Sequence, residues 1–290
     1  MTGLVMTLLA VAWLATGKGG HGPGPVQAPS PPLPQVQADY VALGSSFAAG
    51  PDVGRADPQG PPICFRSADN YPHKLAARRH LTLEDRSCSG ARTADITHHR
   101  QFGLPPQIDA VGPGVRLITL TIGGNDVSYL GDLSAMSCRN QGGACTPSPE
   151  ETLDARFAAL RTSYTDLLEQ LRTRAPGAQI VVVDYLTVVP EAGTCPERSP
   201  LTEADMGRAR ARAERLNRMT AEVAAAAGAT LVHASTLTAG HDVCAAHPWV
   251  NGWRDPGPGG RPLATYHPRI EAMEAIAAEI DRALPRGLTR

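Results

Sequence analysis

Neither sign of charge dominates this chain of 290 residues. Its 27 Lys and Arg face 28 Asp and Glu, and the basic residues form no stripe of the kind a phosphate backbone needs. Nucleic acid is therefore not expected as a partner. None of the six cysteines stands in a C-x-x-C pair, which removes the common zinc and dithiol-redox arrangements. The pairs His98-His99 and His241 with His247 lack the i, i+4 helical spacing beside a carboxylate that would suit zinc. No metal and no cofactor is expected. Aromatic residues make up only 4% of the chain and no basic amphipathic helix is visible, so membrane contact is expected to be transient at most. The apolar run over residues 4–15 is too short to cross a hydrocarbon core of about 30 Å as a helix.

That run has the length of a signal-peptide core. Residues 1–16 are expected to be a signal peptide or, since no Lys or Arg precedes the run, an uncleaved anchor in the cell envelope. An even number of cysteines agrees with export to an oxidising compartment. Spacing leaves several pairings open, but Cys138 with Cys145 closes a short Gly-rich loop, and Cys64 with Cys88 and Cys195 with Cys244 cross no other pair. Residues 17–37 are mostly Gly, Pro, Gln and Ser. They cannot bury enough apolar surface to offset chain entropy, so a disordered leader is expected there. Residues 38–290 remain as one domain, taken as a monomer by default.

Within that domain, β-rich runs at 38–43, 81–85, 115–122, 179–185 and 230–234 alternate with helical periodicity at 70–79, 150–173, 202–227 and 268–284. The third and fourth runs are nearly continuous aliphatic sequence, as strands buried on both faces are. The alternation predicts an α/β fold: a three-layer α/β/α sandwich, flavodoxin-like, with about five parallel strands. Ligands of open parallel sheets sit beyond the carboxyl ends of the strands. The loops at 44–62, 87–93, 123–145, 186–200 and 235–266 are thus expected to carry the chemistry, the last being long enough for a substrate-binding or lid role with Trp249 and Trp253 in it.

Those loops hold short chemical blocks. Gly44-Ser45-Ser46-Phe47-Ala48-Ala49-Gly50 follows the first run and can hold a hydroxyl among backbone N–H groups. Ser87-Cys88-Ser89-Gly90-Ala91 follows the second, and Gly90 can offer its N–H at close approach. Gly123-Gly124-Asn125-Asp126 follows the third, where an Asn amide can donate into the cleft while Asp126 suits a turn or helix start. Tyr266-His267-Pro268 precedes the last helix, where an imidazole can return to the same rim. An α/β-hydrolase elbow would need Gly-x-Ser-x-Gly, which Gly44-Ser45-Ser46-Phe47-Ala48 does not supply.

In this order the blocks resemble those of the SGNH (GDSL-like) esterase and lipase family over about residues 38–285. The resemblance implies Ser46 as nucleophile, with Ser45 as the fallback, and His267 as its base. It implies an oxyanion hole from the N–H groups of Ser46 and Gly90 and the side chain of Asn125. Two departures stand out. Ser45 replaces the Asp of the usual Gly-Asp-Ser, and Ala264 stands three residues before His267 where the family often has Asp. A Ser-His dyad is therefore implied, as in secreted actinobacterial-type members, with the carbonyl of Ala264 or Thr265 orienting the imidazole unless Asp242 or Asp255 reaches it. The implied activity is hydrolysis of carboxylic esters, including lipids, through an acyl-serine. A carbohydrate acetylesterase and an inactive lipid- or glycan-binding module are the alternatives.

Overall fold

The computed structural model describes residues 38–255 and 264–288. The expected signal peptide and leader lie outside the described residues, as does part of the 235–266 loop. Five parallel strands, β1 (Tyr40–Gly44), β2 (Leu83–Asp85), β3 (Leu117–Thr121), β4 (Gln179–Val183) and β5 (Thr230–Val232), form one sheet in the order β2-β1-β3-β4-β5. This is the flavodoxin-like order that the alternation predicts. The helices are α1 (Ser46–Ala49), α2 (Tyr71–Arg79), α3 (Thr93–Thr97), α4 (Tyr129–Asn140), α5 (Leu153–Arg174), α6 (Glu203–Ala226), α7 (Ala234–Leu237) and α8 (Ile270–Ala283).

Strand order decides which face each helix covers. The step from β1 to β2 runs one way along the sheet, whereas β2 to β3, β3 to β4 and β4 to β5 all run the other way. Right-handed crossovers then put α2 on one face and α3, α5 and α6 on the opposite one. The packing agrees: α8 returns to lie against α2, while α5 contacts both α3 and α6. Both faces of the centre are thereby covered, and every residue of β1 and β3 is buried.

Helix boundaries follow local chemistry. Asn70 caps α2 by accepting from the His73 N–H at 3.0 Å, with Pro72 in the first turn. Thr202 and Asp205 form a capping box on α6, and Gly228 adopts φ 63° just past its end. One expectation needs correction, because the 123–145 loop contains the twelve-residue helix α4. Its buried face includes Asp132 and Ser137, which dilute the apolar period. Asp132 is held there by Arg212 and by the Ser148 N–H.

The structure pairs Cys64 with Cys88, Cys138 with Cys145 and Cys195 with Cys244. The first and third join segments that follow different strands, and the second joins the last turn of α4 to the loop after it. Among the described residues, no helix is long and apolar enough to cross a membrane.

Candidate active site

The turn that carries Ser45 and Ser46 is built where two strands end together. Gly44 closes β1 opposite Thr121 of β3 at φ 139°, and a Cβ there would come 2.5 Å from the Thr121 carbonyl oxygen. Only glycine allows that approach. β2 has already ended opposite Ala42, so the other side of Gly44 would be unpaired. The Gln107 amide takes the place of a strand, accepting from the Gly44 N–H at 2.8 Å and donating to its carbonyl at 3.0 Å. The Cys88 N–H also reaches the Gly44 carbonyl at 3.0 Å, which brings the second block against the first.

Ser45 and Ser46 then part company. Ser45 is buried at 1% exposure, and its N–H donates to the Thr121 carbonyl at 3.0 Å. Ser46 opens α1, so its N–H has no acceptor within the helix. Its Oγ lies 2.7 Å from Nε2 of His267. The Nδ1 of that ring is 2.7 Å from the Thr265 carbonyl. A carbonyl only accepts, so Nδ1 carries the proton and Nε2 is left as acceptor for the Ser46 hydroxyl. Ala264, the other candidate carbonyl, instead receives the His267 backbone N–H at 3.1 Å. With both ring nitrogens engaged, none remains for Asp242 or Asp255. Asp242 accepts from the Cys244 N–H at 2.8 Å.

Burial pushes the His267 imidazole below its ordinary 6.5, opposed by the Thr265 carbonyl and by the charge of Asp52. The ring is therefore neutral at pH 7, the state a base requires. It sits 5.4 Å from the Phe47 ring between centroids. Its loop is pinned from behind by Tyr266, whose backbone takes φ 60° and whose buried hydroxyl bonds Ser137 at 2.6 Å and Ser199 at 2.8 Å.

The second and third blocks also meet. Asn125 Nδ2 donates to the Ala91 carbonyl at 2.8 Å, which leaves its second hydrogen for the cleft. Asp126 accepts from the Thr93 hydroxyl at 2.6 Å and from the Thr93 N–H at the start of α3. It is a structural clamp between the two blocks, and burial raises its carboxyl. Gly90, at φ 83°, is exposed, and among the described residues its N–H has no acceptor.

Three groups have no motif in the sequence. Gln101 Nε2 donates to the Ser89 carbonyl at 2.9 Å. That carbonyl belongs to the same peptide unit as the Gly90 N–H, so the contact fixes where the N–H points. Tyr185, just beyond β4, accepts from the Gly124 N–H at 2.8 Å. A Cβ on Gly124 would come 2.6 Å from that hydroxyl, which is why the second glycine of the block is needed. Burial pushes the Tyr185 phenol up to about 12, so it stays neutral. Asp52 follows α1 at φ 60°.

The other singled-out residues lie elsewhere. His99 bonds Asp95, His98 bonds the Thr97 hydroxyl at 2.8 Å, and His241 stacks on Trp249 with ring centroids 3.8 Å apart. Trp249 and Trp253 pack against the core, and the Trp253 N–H reaches the Arg198 carbonyl at 2.7 Å.

Comparison with known proteins gives a consistent result. Residues 42–275 match the GDSL-like lipase/acylhydrolase family. Lipase 2 of Streptomyces coelicolor is 35% identical over 250 residues, 82% of this chain and 83% of that protein. The crystal structure of an extracellular lipase from Streptomyces rimosus superposes with a TM-score of 0.68 at 29% identity, covering 85% of this chain and 99% of that one. Phospholipase A1 from Streptomyces albidoflavus gives 0.68 at 25% identity, covering 86% and 100%.

Proposed function

Because the chain belongs to the GDSL-like lipase/acylhydrolase family and is a carboxylic ester hydrolase, we propose that it works through a Ser46–His267 dyad on lipid esters outside the cytoplasm. The observation that carries the dyad is the 2.7 Å contact between Ser46 Oγ and His267 Nε2, with Nδ1 committed to the Thr265 carbonyl. As Ser46 Oγ attacks the ester carbonyl, His267 Nε2 takes its proton. The imidazolium that forms is balanced by the Thr265 carbonyl and the nearby Asp52 rather than by a bonded carboxylate.

The tetrahedral oxyanion is held by the N–H groups of Ser46 and Gly90 and by the free hydrogen of Asn125 Nδ2. Gln101 and Tyr185 do not touch it. Gln101 holds the peptide that carries the Gly90 N–H, and Tyr185 holds the Gly123–Gly124 peptide that precedes Asn125. His267 then protonates the departing alcohol, and water repeats the cycle to release the acid.

Lipid esters are favoured because the similar proteins include lipases and a phospholipase A1. Three disulfides and the apolar run over residues 4–15 support export. The test is hydrolysis of p-nitrophenyl esters of graded chain length by wild type and Ser46→Ala, with the fluorophosphonate adduct mapped by mass spectrometry. Loss of activity in the variant and an adduct on Ser46 are expected. Undiminished turnover in Ser46→Ala would remove this serine from the mechanism, and a rate confined to acetyl esters would remove lipids as substrates.

A further inference from the structure

His267 protonates the departing alcohol, so the alcohol part of the ester lies on the imidazole side of Ser46 and the acyl part on the other. One helical turn past Ser46 a cleft of about 380 Å³ opens, with Gly50 in its wall. The Gly50 N–H donates to the Ser46 carbonyl at 2.9 Å, and a Cβ on Gly50 would come 3.1 Å from Met273 of α8, the helix that His267 precedes. Asp52 lines the same cleft, and its charge acts on the His267 ring. Val53, Pro58, Pro61, Pro62 and Phe65 supply apolar walls. Phe65 is 36% exposed and firmly held: its N–H bonds the Pro62 carbonyl at 3.1 Å, and the preceding Cys64 is bridged to Cys88.

Three of the lining residues carry charge: Asp52, Asp57 and Arg66. Arg66 and Asp57 are buried and paired at 2.8 Å, so they cancel. Arg55, which lies between Asp52 and Asp57 in the chain, is committed to Asp69 at 3.1 Å. Asp52 is left over. It is exposed, and among the described residues its carboxylate has neither a hydrogen-bond donor nor a salt-bridge partner. The local turn does not call for a carboxylate either. The Val53 N–H closes that turn on the Gly50 carbonyl at 3.1 Å, with Pro51 second and Asp52 third at φ 60°. Glycine or asparagine suits such a third position best. The cleft thus combines one unmatched negative charge with apolar walls and an aromatic ring.

We propose that this cleft receives the alcohol part of esters that carry a quaternary ammonium there, as choline does, with Asp52 as the counter-charge and Phe65 as the aromatic wall. A methylated ammonium is a diffuse cation with an apolar surface, which suits a carboxylate set among proline rings and an aromatic side chain. A divalent metal would need several oxygen ligands, and one carboxylate does not supply them. This substrate class rests on the hydrolase reading above.

The test compares kcat/KM for butyrylcholine and for 3,3-dimethylbutyl butyrate, its uncharged carbon isostere, in the full chain, in Asp52→Asn and in Phe65→Leu. The ratio taken on one sample cancels any loss of folded protein and any change in His267 basicity, which both esters share. Wild type should prefer the charged ester by about tenfold, from an exposed ion pair and a cation–π contact together. Asp52→Asn, which suits the turn, should bring the ratio to about threefold or less, and added salt should erode it in wild type. Phe65→Leu keeps an apolar wall without a π face and should lower the ratio about threefold. Dioctanoyl phosphatidylcholine against dioctanoyl phosphatidylglycerol, below their micelle concentrations, locates the source of the cation. A preference that Asp52→Asn also lowers there assigns the cleft to phospholipid headgroups, and one that it leaves alone assigns it to simple ammonium esters.

An Asp52→Asn ratio for the first pair equal to that of wild type would overturn the proposal even if both rates fell, because Asp52 would then serve the imidazolium alone. So would a wild type that does not distinguish the two esters. Failure of the hydrolase reading would be seen separately, as a chain that turns over neither ester. Calorimetry with choline then decides the cleft by itself: binding to wild type and not to Asp52→Asn is expected, and equal binding or none would overturn the assignment.

Discussion

Gln101→Leu tests whether the orientation of one peptide governs catalysis. The wild-type amide donates to the Ser89 carbonyl at 2.9 Å, and the trans peptide directs the Gly90 N–H the opposite way. Losing an oxyanion donor outright costs about 10² to 10³ in turnover, which is the loss expected for Asn125→Ala. Gln101 only steadies a donor. A neutral hydrogen bond is worth about 0.5–1.5 kcal/mol net, so a roughly three- to tenfold fall in kcat is expected, with KM unchanged. The affinity of a boronate that mimics the tetrahedral state should fall by the same factor.

Stability should change little in that variant. Gln101 Oε1 is already buried without a partner among the described residues, and leucine removes that acceptor while leaving the Ser89 carbonyl unmet. Gln101→Glu keeps the length but cannot donate, and should show the same loss in kcat. The assay is steady-state hydrolysis of a dissolved short-chain ester, together with boronate inhibition and a melting curve. A wild-type kcat, or a loss confined to melting temperature, would refute the argument.

The His267 imidazole is held below 6.5 in the folded chain, so the acid limb of kcat/KM is expected below pH 6.5. Between the folded and unfolded values, unfolding takes up a proton. Stability therefore falls as pH drops through that window and levels off beneath it; an acid limb above pH 6.5 would contradict the burial argument. Tyr185→Phe leaves the Gly124 N–H buried without its acceptor, and should cost about 1–3 kcal/mol in a denaturant titration with unchanged slope. A cost under about 0.5 kcal/mol would show that the contact is dispensable.

Local signals carried most of the fold. The runs Leu117–Thr121 and Gln179–Val183 are aliphatic enough to be parallel strands wherever they are placed, and α2, α5, α6 and α8 carry regular apolar spacing. α4 escaped because Asp132 and Ser137 face inward, each satisfied by a partner distant in the chain: Arg212 for the first and Tyr266 for the second. No local period can encode such partners. The four blocks were legible as blocks, each after a strand or before a helix, because glycine at a strand end and an imidazole before a proline are local facts.

What the sequence by itself determined, then, is the set of residues available at the carboxyl rim: two adjacent serines, a glycine, an asparagine and a histidine with no acid at the usual distance. Only the tertiary structure decided among them. It tied Ser45 to Thr121 of β3 and turned Ser46 to His267, and gave Nδ1 to Thr265 rather than Ala264. It recruited Gln101, Gln107 and Tyr185 to hold the turns. These choices rest on single hydrogen bonds between segments far apart in the chain. Such a bond has no composition or spacing of its own, and it exists only once the sheet has brought its donor and acceptor within 3 Å or so of each other.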